Sequence, residues 1–375
     1  MQKNLHEKPF DEGTIKKLDI FEAYTKLWLP TFVMNKFESE IYIFDLFAGP
    51  GYSITSQEGS PIRILKQVND QIGNIFSQNK KVFLLFNEYD KTKVEKLKSA
   101  CESFCNSHKD LQRAIAAKVV QYKILNTDVA QLFPKVKNFL GKHPLLLFLD
   151  QNGIKFMADT YLQPLLVSKK VDFLFYLSSS YFNRFGNTSE FRNIIDINLQ
   201  KAKEAPYKYI HRSILEQLRK RIPTNSNTRL YPFTIKKGCN VYGIIFGASH
   251  PRAVDKFLQT AWKENNINGE ANFDIDDDRN KGQKDLFGNI ELTKIMKFQQ
   301  NLHDAILRGE LKTNKDAYDY ALNHGHLPSH AADEIKEMKK AKLITYDNRS
   351  PLMTYEKVYG SNKIMLEYKL CGRQK

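Results

Sequence analysis

The chain has 375 residues, 42% of them hydrophobic and 12% aromatic, with 25 Phe and 18 Tyr. That is enough for a large core or two domains, and it excludes wholesale disorder. Lys and Arg outnumber Asp and Glu by 57 to 42, a net charge of +15. The surplus points to an anionic partner, nucleic acid before membrane, since no apolar run reaches the roughly 18 residues of a spanning helix.

Residues 1–12 are polar and read as loose. Residues 14–29 carry Ile15, Leu18, Phe21, Tyr24 and Trp28 near helical spacing, with Pro30 expected to stop or kink the helix. No leader peptide is visible: the first apolar patch is interrupted by Glu22, Lys26 and Pro30. The four cysteines, Cys101, Cys105, Cys239 and Cys371, make no paired-CxxC set. They read as reduced thiols of a cytoplasmic protein, with no metal site.

Residues 41–44 form a short β-branched and aromatic run, the pattern of a strand buried on both faces. It ends on Asp45 and continues through Phe47 to Gly49 and Gly51. The glycines let the backbone turn sharply and approach a ligand. A NAD-type fingerprint would need a small residue where Ile54 stands, and no Gly-Lys-Ser/Thr follows for a P-loop. The stretch YIFDLFAGPG resembles the first motif of S-adenosylmethionine-dependent methyltransferases. The resemblance implies that the glycine loop lies against the cofactor and that Asp45 lies near its methionine ammonium.

Ser60-Pro61 then opens a helix. Residues 81–90 make the second strand, ending on Asn87 and Glu88. At that position Glu88 is expected to accept from the ribose hydroxyls, with Asp90 as a second candidate or a helix cap. The third strand, 119–125, is followed by Asp128, which either contacts the adenine amine or caps the next helix. The most apolar strand, 145–149, is expected to be central. It ends on Asp150-Gln151-Asn152-Gly153, where substrate meets the transferred methyl group in methyltransferases. Asp150 and Asn152 are the candidate catalytic residues. Base-amine methyltransferases carry Asp or Asn, then Pro-Pro and an aromatic there. Here only Asp150 matches, with Phe156 as a candidate stacking ring one turn later.

A fifth strand, 171–178, leads to Asn183 and Arg184 at the rim of the same cleft. Residues 229–235 and 240–248 read as a hairpin through Lys236-Lys237-Gly238. Five parallel-type strands, alternating helices and a closing antiparallel hairpin give one α/β domain of the class I methyltransferase type, residues 1–265. Residues 266–289 are polar and acidic and read as a linker or loop. Residues 290–375 follow the order helix, helix, helix, strand, wing, strand of a winged helix. Lys336, Lys339 and Lys340 stand on its third helix, where a groove-reading helix needs charge.

Taken in order, YIFDLFAGPG, GSPIRIL, FNEYD, FLDQNG, the Asn183-Arg184 pair and VYGIIFGASHP resemble the three-Cys-motif partner protein (TcmP) family over residues 14–345. The resemblance implies a methyltransferase-like fold binding S-adenosylmethionine and association with a separate three-cysteine protein. Family members read Asp-Pro-Phe/Tyr-Gly where this chain reads Asp150-Gln151-Asn152-Gly153. Two functions are therefore expected: methyl transfer to a nucleic acid or partner-bound substrate, or a non-catalytic partner that keeps the fold.

Overall fold

The computed structural model describes residues 9–151, 155–178, 207–284 and 289–371. Asn152, Gly153, Asn183 and Arg184 lie outside the described residues. The chain divides into two compact units, Met1–His250 and Pro251–Lys375.

In the first unit the apolar runs become the strands β1 (Glu40–Asp45), β2 (Lys81–Asn87), β3 (Val120–Leu125), β4 (Leu145–Leu149) and β5 (Val171–Ser178). All five are parallel, and β6 (Arg229–Lys237) and β7 (Asn240–Ala248) add an antiparallel hairpin. The order β3-β2-β1-β4-β5-β7-β6 is that of the methyltransferase-like sheet expected from the sequence. Its chain order reverses at β1, so β1 and β4 lie side by side at the switch point, where open α/β sheets bind ligands at the strands' carboxyl ends.

Alternation along the strands sorts side chains onto two faces. Tyr42, Phe44, Leu145, Leu147 and Leu149 share one core with residues of α6 (Val129–Val136), α7 (Asp159–Val167) and α8 (Ile210–Arg219). The other face meets α1 (Glu12–Val33), where Phe21 stacks on Phe148 of β4 at 4.1 Å. Beside α1 pack α2 (Ser60–Asp70) and then α4 (Lys91–Ser107). Short helices α3 (Ile72–Ser77) and α5 (Lys109–Ala116) fill the connections.

Pro30 does not stop α1, which runs to Val33. Leu29 and Val33 are fully buried on either side of it, and packing of that turn offsets the amide hydrogen bond that proline lacks. Tyr24 and Trp28 both donate to the buried Asp172 of β5, at 2.8 and 2.7 Å. Burial pushes the Asp172 carboxyl up to about 7. These bonds fix α1 on the sheet.

The second unit starts at Pro251, not after residue 265, because α9 (Pro251–Glu264) packs with the C-terminal helices. Its Trp262 Nε1 donates to Gly325 O at 2.9 Å, and its Asp255 accepts from Tyr318 at 2.9 Å. The described part of the segment expected as a linker is ordered by side chains. Asn268 and Asp278 are buried, and Asp274 accepts the amides of Asp278 and Arg279. Asp274 and Asp278 accept backbone amides, and among the described residues no cluster of three or more His, Cys, Asp or Glu side chains is placed to hold a metal.

The winged-helix order follows: α10 (Lys294–Leu307), α11 (Asn314–Asn323), α12 (Pro328–Lys340), β8 (Ile344–Thr345), α13 (Tyr355–Val358) and β9 (Lys369–Leu370). Thr313 and Asp316 form a capping box at α11. The last strand is two residues long, and the stretch before it is held by the Asn314 side chain, on Ile364 O and Leu366 N at 2.9 and 3.0 Å, and by an antiparallel bridge between Thr313 and Glu367.

Candidate active site at the carboxyl edge of the sheet

Register places three acids together. Asp45 pairs in register with Phe86 of β2 and Phe148 of β4. Glu88 and Asp150 therefore stand two residues beyond it on the strands either side.

Asp45 is fully buried. Its Oδ1 accepts from Phe47 N at 3.1 Å, and its Oδ2 has no hydrogen-bond partner among the described residues. Burial pushes this carboxyl up to about 7, the Ser60 hydroxyl and the Phe47 amide pull it back down, and the charges of Asp150 and Glu88 add a smaller push upward. A buried carboxylate oxygen without a donor is costly.

Glu88 accepts from Gly49 N at 3.0 Å through Oε2 and from Asp90 N at 2.8 Å through Oε1. It pins the glycine loop to the end of β2. Each oxygen keeps a second lone pair for a ligand hydroxyl. Gly49 and Gly51 both have positive φ, 64° and 86°. Gly51 has a further role that its motif does not reveal. A Cβ there would lie 2.7 Å from the Ala100 Cβ, so the missing side chain lets α4 close on the loop. Gly59 N donates back to Gly51 O at 2.7 Å and shuts the segment between them.

Two acids with open alternatives take structural work. Asp90 caps α4 through Thr92 N and Lys93 N, and Asp128 caps α6 through Ala130 N at 2.7 Å. Phe47 meets Phe156 edge-on at 5.3 Å. Phe156 is itself buried and packs on Tyr161 at 4.7 Å, so it is a core residue rather than a free stacking ring. The buried Gln151 Oε1 accepts from Phe156 N at 2.9 Å, and Phe156 lies in the short turn Lys155–Met157.

Asp150 forms an ion pair with Lys17 of α1. Sequence reading missed Lys17, whose only signal was a cation on the helix stripe that also carries Gly13, Phe21, Tyr24 and Trp28. Its side chain is 7% exposed, against 23% for Asp150, and Nζ sits 4.4 Å from the Tyr176 ring centroid.

The candidate groove lysines are mostly engaged. Lys336 pairs with Asp333 at 3.0 Å and Lys340 with Glu337 at 3.4 Å. Lys339 donates to Tyr346 O and Asn348 O at 3.1 and 2.6 Å, covers the Tyr346 ring, and ties α12 to the wing. Three acids balance three lysines along α12. Residues 251–375 hold 21 Lys and Arg against 19 Asp and Glu, whereas residues 1–250 hold 36 against 23. The basic surplus therefore belongs to the α/β unit. Cys101 and Cys105 are buried free thiols, with pKa values raised chiefly by that burial.

Fold and edge together define a class: a methyltransferase-like α/β unit followed by a winged-helix domain. Residues 274–351 match a family model described as a GMT-like wHTH domain. Among solved structures the chain is similar to a fibrillarin/Nop5p complex, at 9% identity and a TM-score of 0.30, covering 56% of this chain and 73% of that one. It is also similar to the DszA carbon methyltransferase, at 12% identity and a TM-score of 0.27, covering 56% of this chain and 48% of that one. The strand order carries the fold class. No curated protein matches the chain. No described helix is long and apolar enough to cross a membrane.

Proposed function

We propose that the chain is an S-adenosylmethionine-dependent methyltransferase of the three-Cys-motif partner type, acting on nucleic acid or on a substrate presented by a partner protein. One observation carries this reading. Asp45, with a buried oxygen lacking a donor, lies between Glu88, which holds the glycine loop, and Asp150. The arrangement suits a ligand with an ammonium at one end and ribose hydroxyls at the other. Asp45 would face the ammonium and Glu88 the ribose, with Gly49 and Gly51 beneath and Phe47 alongside. When bound, the cofactor would supply an electrophilic methyl group near Asp150. The basic surplus of the α/β unit favours a polyanionic substrate.

A second reading has its own support. Gln151 departs from the family's sequence pattern, and Phe156 is buried, which favours a chain that keeps the fold without transfer. Calorimetric titration with S-adenosylmethionine, followed by transfer of labelled methyl to RNA, DNA and protein pools with and without a three-cysteine partner, separates the two. Binding with transfer supports the first reading. Binding without transfer supports the second, and no binding overturns the first.

A further inference from the structure

Lys17 lies at a place where an apolar side chain would serve packing better. Its neighbours on the same stripe of α1, Phe21, Tyr24 and Trp28, are core residues. Taking an ammonium out of water costs several kcal/mol, and a buried ion pair rarely returns more than a well-packed apolar pair would. The anchoring of α1 does not depend on it. Tyr24 and Trp28 hold Asp172, Arg63 of α2 bridges Asp19 and Glu22 at 2.8 and 3.0 Å, and Asp11 pairs with Lys237 of β6 at 2.6 Å. These contacts fix the helix, so Lys17 reaches the end of β4 from a rigid element. The pair uses Asp150 Oδ2, and the partial exposure of Asp150 leaves a second group room to approach.

We propose that Lys17 and Asp150 together form the acceptor-binding pair of this edge, and that the group they take is a hydroxyl rather than an exocyclic amine. The proposal rests on the methyltransferase reading above. A neutral amine attacks through its one lone pair, so an acceptor site for it wants oxygens on its hydrogens and no cation on that lone pair. An ammonium beside the carboxylate would engage it. A hydroxyl has two lone pairs and one hydrogen. Lys17 can donate to one lone pair and Asp150 can accept the hydrogen, while the other lone pair attacks. In transfer to such a hydroxyl, a C–O bond forms as the C–S bond of a methylsulfonium donor breaks. The C–S electron pair stays on sulfur as a neutral thioether, and the hydroxyl proton passes to Asp150.

The test uses the full chain with methyl-labelled S-adenosylmethionine and total RNA, DNA and protein, and chromatography of the digested products. The expected result is methyl on oxygen. Lys17→Gln should lower transfer about 100-fold, within the range of a positioned acid–base group. Its calorimetric affinity for S-adenosylhomocysteine and its melting temperature should stay near wild type, and Lys17→Arg should recover part of the rate. If Lys17→Gln does not fold, Lys17→Met keeps the length and the packing and is measured in its place. Methyl found on nitrogen overturns the proposal, as does transfer that falls only with the folded fraction. Absence of transfer with intact S-adenosylhomocysteine binding removes this proposal and leaves the cofactor site standing, whereas absence of both removes the methyltransferase reading itself.

Discussion

The Glu88 carboxylate accepts the Gly49 amide at 3.0 Å, across 39 residues of chain. One side chain thus shapes the glycine loop and ends the strand beside it. Glu88→Ala removes a charge-assisted bond and a ligand acceptor together. Affinity for S-adenosylhomocysteine is expected to fall by roughly 1.5–3 kcal/mol, the scale of hydrogen bonds to a charged group. Glu88→Gln, which keeps one acceptor, should lose less. Titration calorimetry checks both, and unchanged affinity in the alanine variant would take Glu88 out of the site.

Gly51→Ala tests the packing role of the loop. The new Cβ would meet Ala100 at 2.7 Å, in a backbone at φ 86°. Overpacking and an unfavourable φ should together cost on the order of 2–4 kcal/mol. Urea denaturation reads this directly. A stability change within about 0.5 kcal/mol, the scale of an ordinary surface substitution, would mean that α4 yields.

Asp45 sets a pH dependence of definite sign. Burial raises its native carboxyl from the ordinary 3.8 to about 7. Between those values the native state keeps a proton that the unfolded chain has lost. Its contribution to stability is therefore full below the lower value and is lost as pH rises to about 7, by up to about 1.4 kcal/mol per pH unit. Asp172 acts in the same direction and buried His211, lowered to about 3, in the opposite one. The measurement is thus the difference between wild type and Asp45→Asn in urea midpoints at pH 5 and 7.5. That difference should favour wild type more at pH 5. Ligand binding runs the other way: an ammonium needs the ionised acid, so affinity for S-adenosylhomocysteine should rise through pH 7 in wild type and not in Asp45→Asn.

The winged helix is tested by salt. Each phosphate contact contributes close to one unit to the slope of log affinity against log salt. Lys336 and Lys340 already face Asp333 and Glu337. Reversing both to Glu is expected to leave the slope for a mixed-sequence duplex within about one unit of wild type. A loss of two units or more would put α12 on the phosphate backbone.

Local pattern alone determined most of the architecture. The runs of apolar residues placed β1 to β7, because a strand buried on both faces needs an unbroken apolar segment and an edge strand does not. Asp45, Glu88 and Asp150 were legible for the same reason: each directly follows or ends such a run, and parallel strands bring those ends to one edge. What the tertiary structure decided is the partner of each group. Periodicity showed that α1 has a buried face but not that Lys17 on that face would meet an acid 133 positions later. It showed two glycines but not that Ala100 would crowd the second. Asp90 and Asp128 could equally have bound a ligand or capped a helix until the helices were seen to begin one residue later. The lysines of α12 were visible, and two of them pair with acids one helical turn away. Sequence spacing records which side is covered, while for Lys17 and Gly51 the identity of the covering group depends on long-range packing that no local window contains.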